Sequence, residues 1–266
     1  MHMKERSLAN KTVFITGASG GVGAEIARLC AERGANLALF ARRLEQLQKL
    51  KEELEKHSGT IRVYRLDVSD TAQIEEVFTK ALDDFSGIDV LVNNAGYGKF
   101  RYAHEVTVED IKGMFNVNVV GLIYCTRMAL PVMMENKSGH IINIASQAGK
   151  VATPKSSIYS ATKHAVVGFS NALRMELADL NIYVTAVNPG PIDTHFFDIA
   201  DEKGTYVKNV KRYMLKPEYV AQKVVDAMLT PKREINLPRW MSLGSYIYAL
   251  FPRLFEKAGK KVLSKK

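Results

Sequence analysis

The chain has 266 residues, 47% of them hydrophobic and 24% charged, and its net charge is +9. A chain of this length can bury the core of one globular domain, and no apolar run approaches the roughly 18 residues of a transmembrane helix. The two cysteines, Cys30 and Cys125, lie in apolar helical patterns and the start of the chain lacks a secretory signal, which argues against a disulfide framework and favours a reducing, cytoplasmic location.

The positive charge is concentrated at the end of the chain. Residues 239–266 contain seven Lys or Arg against one acid, Glu256, so +6 of the +9 lies in the last 28 residues. A solvated basic tail explains this excess, and no recognition motif accompanies it. The sequence therefore does not predict nucleic-acid binding.

Short β-branched runs alternate with long amphipathic segments along the chain. The predicted strands are TVFIT, NLALF, IRVYRL, IDVLV, HIINIA, IYVTAVN and REINL. The predicted helices cover residues 22–33, 44–56, 72–85, 111–134, 157–180 and 217–229. This alternation predicts parallel βαβ units in a doubly wound α/β domain of about seven strands, which binds ligands at the carboxyl ends of its strands.

The first strand runs directly into the glycine-rich segment TGASGGVG, which opens the first helix. Glycines let the backbone turn sharply and approach a pyrophosphate at the positive end of a helix, although a tight turn needs glycine in any case. The candidate cofactor-binding residues in this turn are Gly17, Ser19, Gly21, Val22 and Gly23.

The second strand ends at Ala41, Arg42 and Arg43. An acid at this point would bind both ribose hydroxyls of NAD(H), whereas arginine would bind the 2′-phosphate of NADP(H). Ala41 occupies the acid's position and two arginines follow it, so we expect NADP(H). The alternative is that both arginines only solvate the next helix, where the helix dipole slightly disfavours them.

The third and fourth strands end in LDVSD and NNAGYG. We expect Asp67 to accept a hydrogen bond from an adenine amino group and Val68 to lie against the ring, while Asp70 caps the next helix. In the second loop, Asn93, Ala95 and Gly96 are expected to brace the turn and leave room for the adenine ribose, and Asn94 is a further candidate for cofactor binding. Such a loop is often only a turn.

The helix from Ser157 carries Tyr159 and Lys163 four residues apart, so both side chains lie on one face. Lowering the pKa of a phenol by about 3 units needs roughly 4 kcal/mol of preferential stabilisation of the phenolate. One positive charge at about 4 Å in an effective dielectric near 20 supplies about that much. The pair therefore suggests a proton donor and a lysine that tunes it, although this spacing also occurs by chance on exposed helices.

These motifs, with Asn118 in NVNVVG, Ser146 in IINIASQAG, YSATK at 159–163 and NPGPIDT from Asn188, resemble the short-chain dehydrogenase/reductase family over about residues 10–237. Ser146 precedes Tyr159 by 13 residues, which is typical of that family. The resemblance implies a Rossmann-like fold and hydride transfer between a nicotinamide cofactor and a carbonyl or alcohol carbon.

The resemblance also implies roles for four residues. Tyr159 would give the proton, Ser146 would hydrogen-bond the substrate oxygen, and Lys163 would bind the nicotinamide ribose and depress the pKa of Tyr159. Asn118 would orient a water that links Lys163 to solvent. The alternatives are that Ser146 satisfies a strand end and that Asn118 bonds backbone inside its own helix.

By the same resemblance, the loop after the sixth strand would hold the nicotinamide. Pro189 and Gly190 would shape its wall, the Ile192 backbone would meet the carboxamide, and Thr194 would bond the carboxamide or a phosphate. The six histidines show no metal-ligand spacing, so we expect no metal site.

Residues 195–216 lose periodicity, which predicts a mobile lid over the substrate or a long surface loop. Aromatic and apolar side chains in this segment and in earlier loops suggest a fairly apolar substrate. The candidates for the pocket wall are Tyr97, Phe100, Gln147, Val151, Phe196, Phe197, Tyr206 and Tyr213.

Beyond Leu237 the resemblance fades, so we expect a domain over residues 8–237 and an extension over 238–266. In the extension, an apolar stripe at spacings of three and four lies beside basic residues, and Pro252 should kink or divide the helix. The stripe is expected to pack on the body or on a second subunit, or alternatively to dock at an anionic membrane. It consists of Trp240, Leu243, Ile247, Leu250 and Leu254.

The sequence thus predicts an NADP(H)-dependent carbonyl reductase or alcohol dehydrogenase for a moderately sized, fairly apolar ketone, aldehyde or secondary alcohol. A 3-oxoacyl or hydroxysteroid substrate is a narrower alternative. A dinucleotide-sensing binding protein without turnover is an alternative of another class, which the intact Ser146, Tyr159 and Lys163 disfavour. A homodimer or homotetramer paired through the helices at Ile111 and Ser157 is implied by the resemblance.

Overall fold

The computed structural model describes residues 7–201 and 204–263, with side chains described up to Lys257. Seven parallel strands form one sheet in the order β3-β2-β1-β4-β5-β6-β7, which confirms the predicted doubly wound, Rossmann-like fold. Because β1 pairs with both β2 and β4, the direction of winding reverses there, and ligands bind at such a point. The strands are β1 (Thr12–Thr16), β2 (Asn36–Ala41), β3 (Ile61–Arg65), β4 (Val90–Asn93), β5 (Gly139–Ile144), β6 (Ile182–Pro189) and β7 (Glu234–Leu237).

Helices cover both faces of the sheet because alternate residues of each strand point to opposite sides. On β1, Val13 and Ile15 pack in one core layer with α1, α2 and α9, and Phe14 packs in the other with α3, α5 and α6. The helices are α1 (Gly21–Glu32), α2 (Leu44–Leu54), α3 (Thr71–Phe85), α4 (Val108–Phe115), α5 (Leu122–Glu135), α6 (Ser157–Glu176), α7 (Phe196–Ala200), α8 (Thr205–Val210), α9 (Pro217–Ala227), α10 (Arg239–Leu250) and α11 (Pro252–Leu263).

The helices α4 and α5 join through the π-helical segment Asn116–Gly121 into one helix of 28 residues, Val108–Glu135. By length and composition this helix could cross a membrane, since an 18-residue stretch of it has a mean hydropathy of 1.5. The sequence pattern predicted a helix here but no membrane-spanning segment. Cys125, Ala129 and Met133 pack against β4 and β5 in the core. The core helix of a globular protein can be as long and as apolar as a membrane-spanning helix. Packing on the sheet therefore explains the apolar residues on this side of the helix.

Two expectations for the last third of the chain change. The segment 195–216 contains the short helices α7 and α8 among the residues that the structure describes. The apolar stripe of the extension does not pack on the body, because Trp240, Leu243 and Leu250 are 61%, 65% and 71% exposed. The predicted division at Pro252 is confirmed, since α10 ends just before it and α11 begins there.

A buried histidine ties β5 to β6 and to the end of α9. The Leu229 amide donates to Nδ1 of His140 at 2.9 Å, and Nε2 of His140 lies 2.8 Å from Oγ1 of Thr185. His140 is fully buried, and burial lowers its pKa from 6.5 to about 3. The histidine is therefore neutral in the folded protein at every pH where the protein is normally handled.

This burial predicts a loss of stability in weak acid. In the unfolded chain His140 binds a proton below about pH 6.5, whereas in the folded chain it binds one only near pH 3, so protonation favours unfolding between those values. Between pH 7 and pH 5 the expected cost is about 2 kcal/mol, at about 1.4 kcal/mol per pH unit below the unfolded pKa. Denaturant unfolding at both pH values measures it.

The variant His140→Asn provides the control, because its amide does not titrate. It should lose less stability than the parent between pH 7 and pH 5, even if it is less stable at pH 7. Equal losses in the two proteins would contradict the assignment.

Candidate active site

A cleft of about 1480 Å³ opens at the carboxyl ends of the strands. The turn between β1 and α1 lies in its wall, as do the ends of β2 and β3, the loop after β4, and Tyr159 and Lys163 of α6. The loop after β6 and the start of α10 complete the wall. The topology therefore gathers the predicted site residues, which are far apart in sequence, around one space.

The glycine-rich turn is packed too closely for side chains. Gly17 has a φ of +66°, and a Cβ there would lie 2.8 Å from Cα of Ala95. A Cβ on Gly23 would lie 2.5 Å from both Nδ2 of Asn94 and the carbonyl oxygen of Gly17. At the described N-terminus of α1 no side chain caps the first turn, so its backbone N–H groups can bind an anion. The turn therefore fits a dinucleotide pyrophosphate.

Asn94 braces this turn, and Asn93 does not. Nδ2 of Asn94 donates to the carbonyl oxygens of Thr16 and Gly17 at 3.0 and 3.1 Å, and the Asn94 and Ala95 amides donate to Oγ1 of Thr16. Asn93 is the last residue of β4, and its Nδ2 donates to Thr126 in the core. The expectation for Asn93 was wrong because successive residues leave a strand on opposite sides.

Two arginines stand at the end of β2, where the sequence predicts the 2′-phosphate. Nη2 of Arg43 donates to Oγ of Ser19 at 3.2 Å. The Arg42 side chain is 72% exposed, and its Nη1 lies 4.0 Å from Oδ2 of Asp67. Both cations are accessible to an anion beside the glycine turn. The predicted cap is also present, since Asp70 accepts from the Gln73 amide at 3.1 Å.

Tyr159 and Ser146 meet at the far end of the cleft. The Ser146 side chain lies beside the Tyr159 phenol, and its Oγ accepts from the Ala148 amide at 3.0 Å. Burial raises the pKa of the Tyr159 phenol, the hydrogen bond with Ser146 lowers it in part, and the nearby Tyr206 raises it further. The phenol is therefore protonated at neutral pH.

Lys163 is also buried, with its Nζ 5.8 Å from the centre of the Tyr159 ring. Nζ donates to the carbonyl oxygen of Ile144 at 2.8 Å, and burial lowers the pKa of the ammonium to about 8. The predicted depression of the Tyr159 pKa is not found among the described side chains, because burial is the largest influence on this pKa and raises it. Lysine and phenol nevertheless share one end of the cleft.

Asn118 lies behind Lys163, in the π-helical segment, and is 1% exposed. Its Oδ1 accepts from the Tyr97 amide at 2.9 Å, and its Nδ2 donates to the Tyr97 carbonyl at 2.8 Å and to Oγ1 of Thr162 at 3.1 Å. Asn118 therefore bonds backbone outside its own helix and joins the loop after β4 to α6. A π-helical turn widens the backbone hydrogen-bond pattern and often marks a functional site.

Aromatic rings cover Tyr159. The ring centres of Phe100 and Phe196 lie 6.0 and 5.6 Å from that of Tyr159, and Tyr206 lies 5.1 Å from Phe100. Phe197 packs on the same group, 5.3 Å from Phe196. We call Phe100, Phe196, Phe197 and Tyr206 the aromatic cap. Three of its four members come from the segment that the sequence predicted as a lid.

The start of α10 forms a further wall of the cleft. A Cβ on Gly190 would lie 2.9 Å from Sδ of Met241, so α10 packs directly on the loop after β6. Ser245 and Phe255 also line the cleft. The periodicity predicted one apolar face on α10, and no local signal showed that residues on its other side line the cleft.

Most of the predicted site residues line the cleft, including every pocket candidate. Two candidates do not line the cleft. Gly23 packs against Gly17 and Asn94 under the turn, and Asn118 lies behind Lys163. The candidates that line it are Gly17, Ser19, Gly21, Val22, Arg42, Arg43, Asp67, Val68, Asn94, Ala95, Gly96, Ser146, Tyr159, Lys163, Pro189, Gly190, Ile192 and Thr194.

The family model and the similar proteins identify the same family. A family model described as short chain dehydrogenase matches residues 11–203. An uncharacterized oxidoreductase of Staphylococcus saprophyticus is 35% identical over 245 residues, covering 91% of this chain and 96% of that protein.

Two solved structures share the fold and carry different cofactors. A serine dehydrogenase complexed with NADP+ is 36% identical, with a TM-score of 0.77, and the match covers 85% of this chain and 94% of that one. A short chain dehydrogenase/reductase from Burkholderia phymatum in complex with NAD is 25% identical, with a TM-score of 0.86 and coverage of 95% and 96%. Similarity of fold alone therefore does not choose between the two dinucleotides.

The glycine turn yields a prediction with an internal control. In Gly23→Ala the new methyl group would collide with Asn94 and with the Gly17 carbonyl, so we expect a loss of about 1–3 kcal/mol in unfolding free energy. NADPH binding should fall with it. In Gly20→Ala the methyl group would lie 3.7 Å from Arg43, an ordinary contact, and both properties should be retained.

Denaturant unfolding and NADPH fluorescence titration measure the two effects. If Gly23→Ala were as stable as Gly20→Ala and bound NADPH equally well, the close packing of the turn would be disproved.

Proposed function

The chain belongs to the short-chain dehydrogenase/reductase family, and from that premise we propose an NADP(H)-dependent oxidoreductase. It transfers hydride between nicotinamide and the carbonyl or alcohol carbon of a moderately sized, fairly apolar substrate. The observation that carries the proposal is the meeting of Ser146, Tyr159 and Lys163 in the cleft that the glycine turn also lines.

The choice of NADP(H) rests on charge at the end of β2. The residue in the acid's position is Ala41, and the Arg42 and Arg43 side chains flank the turn that fits the pyrophosphate. A 2′-phosphate placed there would gain charge-assisted hydrogen bonds from the guanidinium groups. NAD(H) would find no carboxylate at that position to bind its ribose.

The remaining cofactor contacts follow the wall of the cleft. Asp67 and Val68 would hold the adenine, and Ala95 and Gly96 would leave room for its ribose. Pro189, Gly190, Ile192 and Thr194 would hold the nicotinamide end, together with Lys163 on the ribose hydroxyls.

Held by these residues, NADPH would supply the hydride. As the substrate oxygen gains negative charge, Tyr159 gives it a proton and Ser146 donates a hydrogen bond. Lys163 would bind the nicotinamide ribose beside Tyr159, and Asn118 would hold the surrounding backbone for proton resupply.

Burial keeps the Tyr159 phenol in its protonated form. Burial raises the pKa of Tyr159, so at neutral pH the side chain carries the proton that a carbonyl substrate needs. Oxidation of an alcohol requires the phenolate, which the apolar surroundings disfavour.

The aromatic cap supports an apolar substrate. Phe100, Phe196, Phe197 and Tyr206 offer ring faces and edges beside the reactive phenol. Apolar surface of this kind binds a ketone or aldehyde with hydrocarbon substituents better than a charged one.

A homodimer or homotetramer is also part of the proposal. The helices at Ile111 and Ser157 expose apolar side chains that a second subunit would cover, among them Val120, Met134 and Met175. The two buried, free cysteines suit a reducing, cytoplasmic compartment.

The cofactor assignment predicts a selective loss of NADPH affinity. In Arg42→Ala and Arg43→Ala, removal of one charge-assisted hydrogen bond should weaken NADPH binding about tenfold or more and leave NADH binding unchanged. Arg65→Ala, at the exposed end of β3 outside the cleft, is the matched control. Fluorescence titration of both dinucleotides measures the effect, and equal parental affinities for NADPH and NADH would refute the assignment.

The proton-donor role predicts a loss of turnover without a loss of cofactor binding. Tyr159→Phe keeps the ring and should lower kcat by about 10²–10⁴-fold, the usual contribution of general acid catalysis. NADPH titration should still show binding. The control is Tyr102→Phe, whose ring is 47% exposed and lies outside the cleft wall.

A panel of aliphatic and aryl ketones and aldehydes, followed by NADPH absorbance, serves as the assay. Turnover that survives in Tyr159→Phe would remove this residue from the chemistry. If the parent binds NADPH but turns over no carbonyl compound, the alternative of a dinucleotide-sensing binding protein without turnover is favoured.

A further inference from the structure

The extension after β7 exposes a continuous apolar face. We call Trp240, Leu243, Ile247, Leu250 and Leu254 the C-terminal stripe, and these residues are 42–71% exposed. The first four recur at spacings of three and four, so they share one side of α10, and Leu254 follows the break at Pro252 on α11. A contiguous exposed face of large apolar residues marks an interaction site.

Basic residues accompany the stripe. Arg239 precedes it, and the exposed Arg253 and Lys257 flank its end. In the sequence, residues 239–266 hold seven Lys or Arg and one Glu. Lys208 and Arg212, which are also exposed, stand at the edge of the neighbouring cleft. An apolar face with Trp and Tyr beside concentrated positive charge is the composition of helices that lie in the surface of an anionic membrane.

We propose that the C-terminal stripe docks at an anionic lipid surface. The charge argues against a second copy of this chain as the occupant. In a twofold dimer formed through the stripe, each copy would bring its exposed Arg253 and Lys257 close to those of the other. Anionic lipid instead attracts each basic residue by about 1 kcal/mol, which corresponds to about fivefold in binding.

Docking would also place the cleft at the lipid surface. α10 has two sides, because Met241, Gly244 and Ser245 line the cleft while the stripe faces outward. Trp240 borders both, with its ring 6.3 Å from that of Tyr213 at the cleft edge. The same helix thus separates the site from the docked surface. The docking itself does not depend on the proposed reduction chemistry.

The single tryptophan makes docking directly observable. Trp240 is the one Trp of the chain, so all tryptophan emission reports on the stripe. With vesicles of phosphatidylglycerol and phosphatidylcholine at low salt, we expect the protein to co-sediment and its emission to shift to shorter wavelength. Pure phosphatidylcholine vesicles, or high salt, should reduce both effects because the electrostatic attraction is then absent or screened.

Two variants separate the apolar and the electrostatic contributions. Leu243→Glu/Leu250→Glu should abolish co-sedimentation, whereas Val108→Glu, the same change at a residue 57% exposed outside the stripe, should not. Arg253→Gln/Lys257→Gln should weaken binding about 30-fold, at about fivefold for each charge. All of these positions are exposed, and circular dichroism checks that the fold is kept.

Three outcomes would overturn the proposal. The first is an unchanged Trp240 emission with no co-sedimentation on anionic vesicles at low salt. The second is equal binding by the parent and by Leu243→Glu/Leu250→Glu. The third is a parental dimer in analytical ultracentrifugation that this double variant converts to monomer, which would assign the stripe to self-association. NADPH titration of the same samples tests the cofactor site separately.

Discussion

The buried ammonium of Lys163 is the constraint around which the site is built. An ammonium withdrawn from water is costly unless hydrogen bonds replace the lost hydration. Here Nζ reaches from α6 to the Ile144 carbonyl at the end of β5, and a Cβ on Gly96 would lie only 3.5 Å from it. The end of β5, the loop after β4 and α6 must therefore meet at one point. The phenol of Tyr159 lies on the same face of α6 and is placed with it.

A second set of interactions holds α6 where this meeting requires it. Nδ2 of Asn93 donates to Thr126 and to Asn143, and Nδ2 of Asn143 donates to Ser170 of α6. These buried side chains join β4 and β5 to α5 and α6 below the cleft. Hydrogen bonds in a dry core are strong and directional, so they fix the relative position of the helix and the sheet. The motif at the end of β4 thus supplies one Asn to the core and its neighbour to the cofactor turn.

The cleft combines a rigid half with a variable half. In the rigid half, close packing between the glycine turn and Asn94 admits no side chain at Gly17 or Gly23. In the other half, the aromatic cap and α10 come from segments outside the regular βαβ pattern. Proteins of similar fold carry NADP+ or NAD. The aromatic cap and α10 line the part of the cleft that we propose for the substrate.

The sequence by itself determined the family, the parallel sheet and most of the candidate residues that the structure brings to one cleft. Strand and helix periods and glycine turns are properties of short windows, and parallel topology brings the ends of the strands together. Only the tertiary structure decided which of Asn93 and Asn94 faces the turn, since that depends on how β4 leaves the sheet. It also decided that burial raises the pKa of Tyr159 and that the C-terminal stripe stays exposed. An apolar period shows that a face is apolar, but only the packing of distant segments shows what covers it.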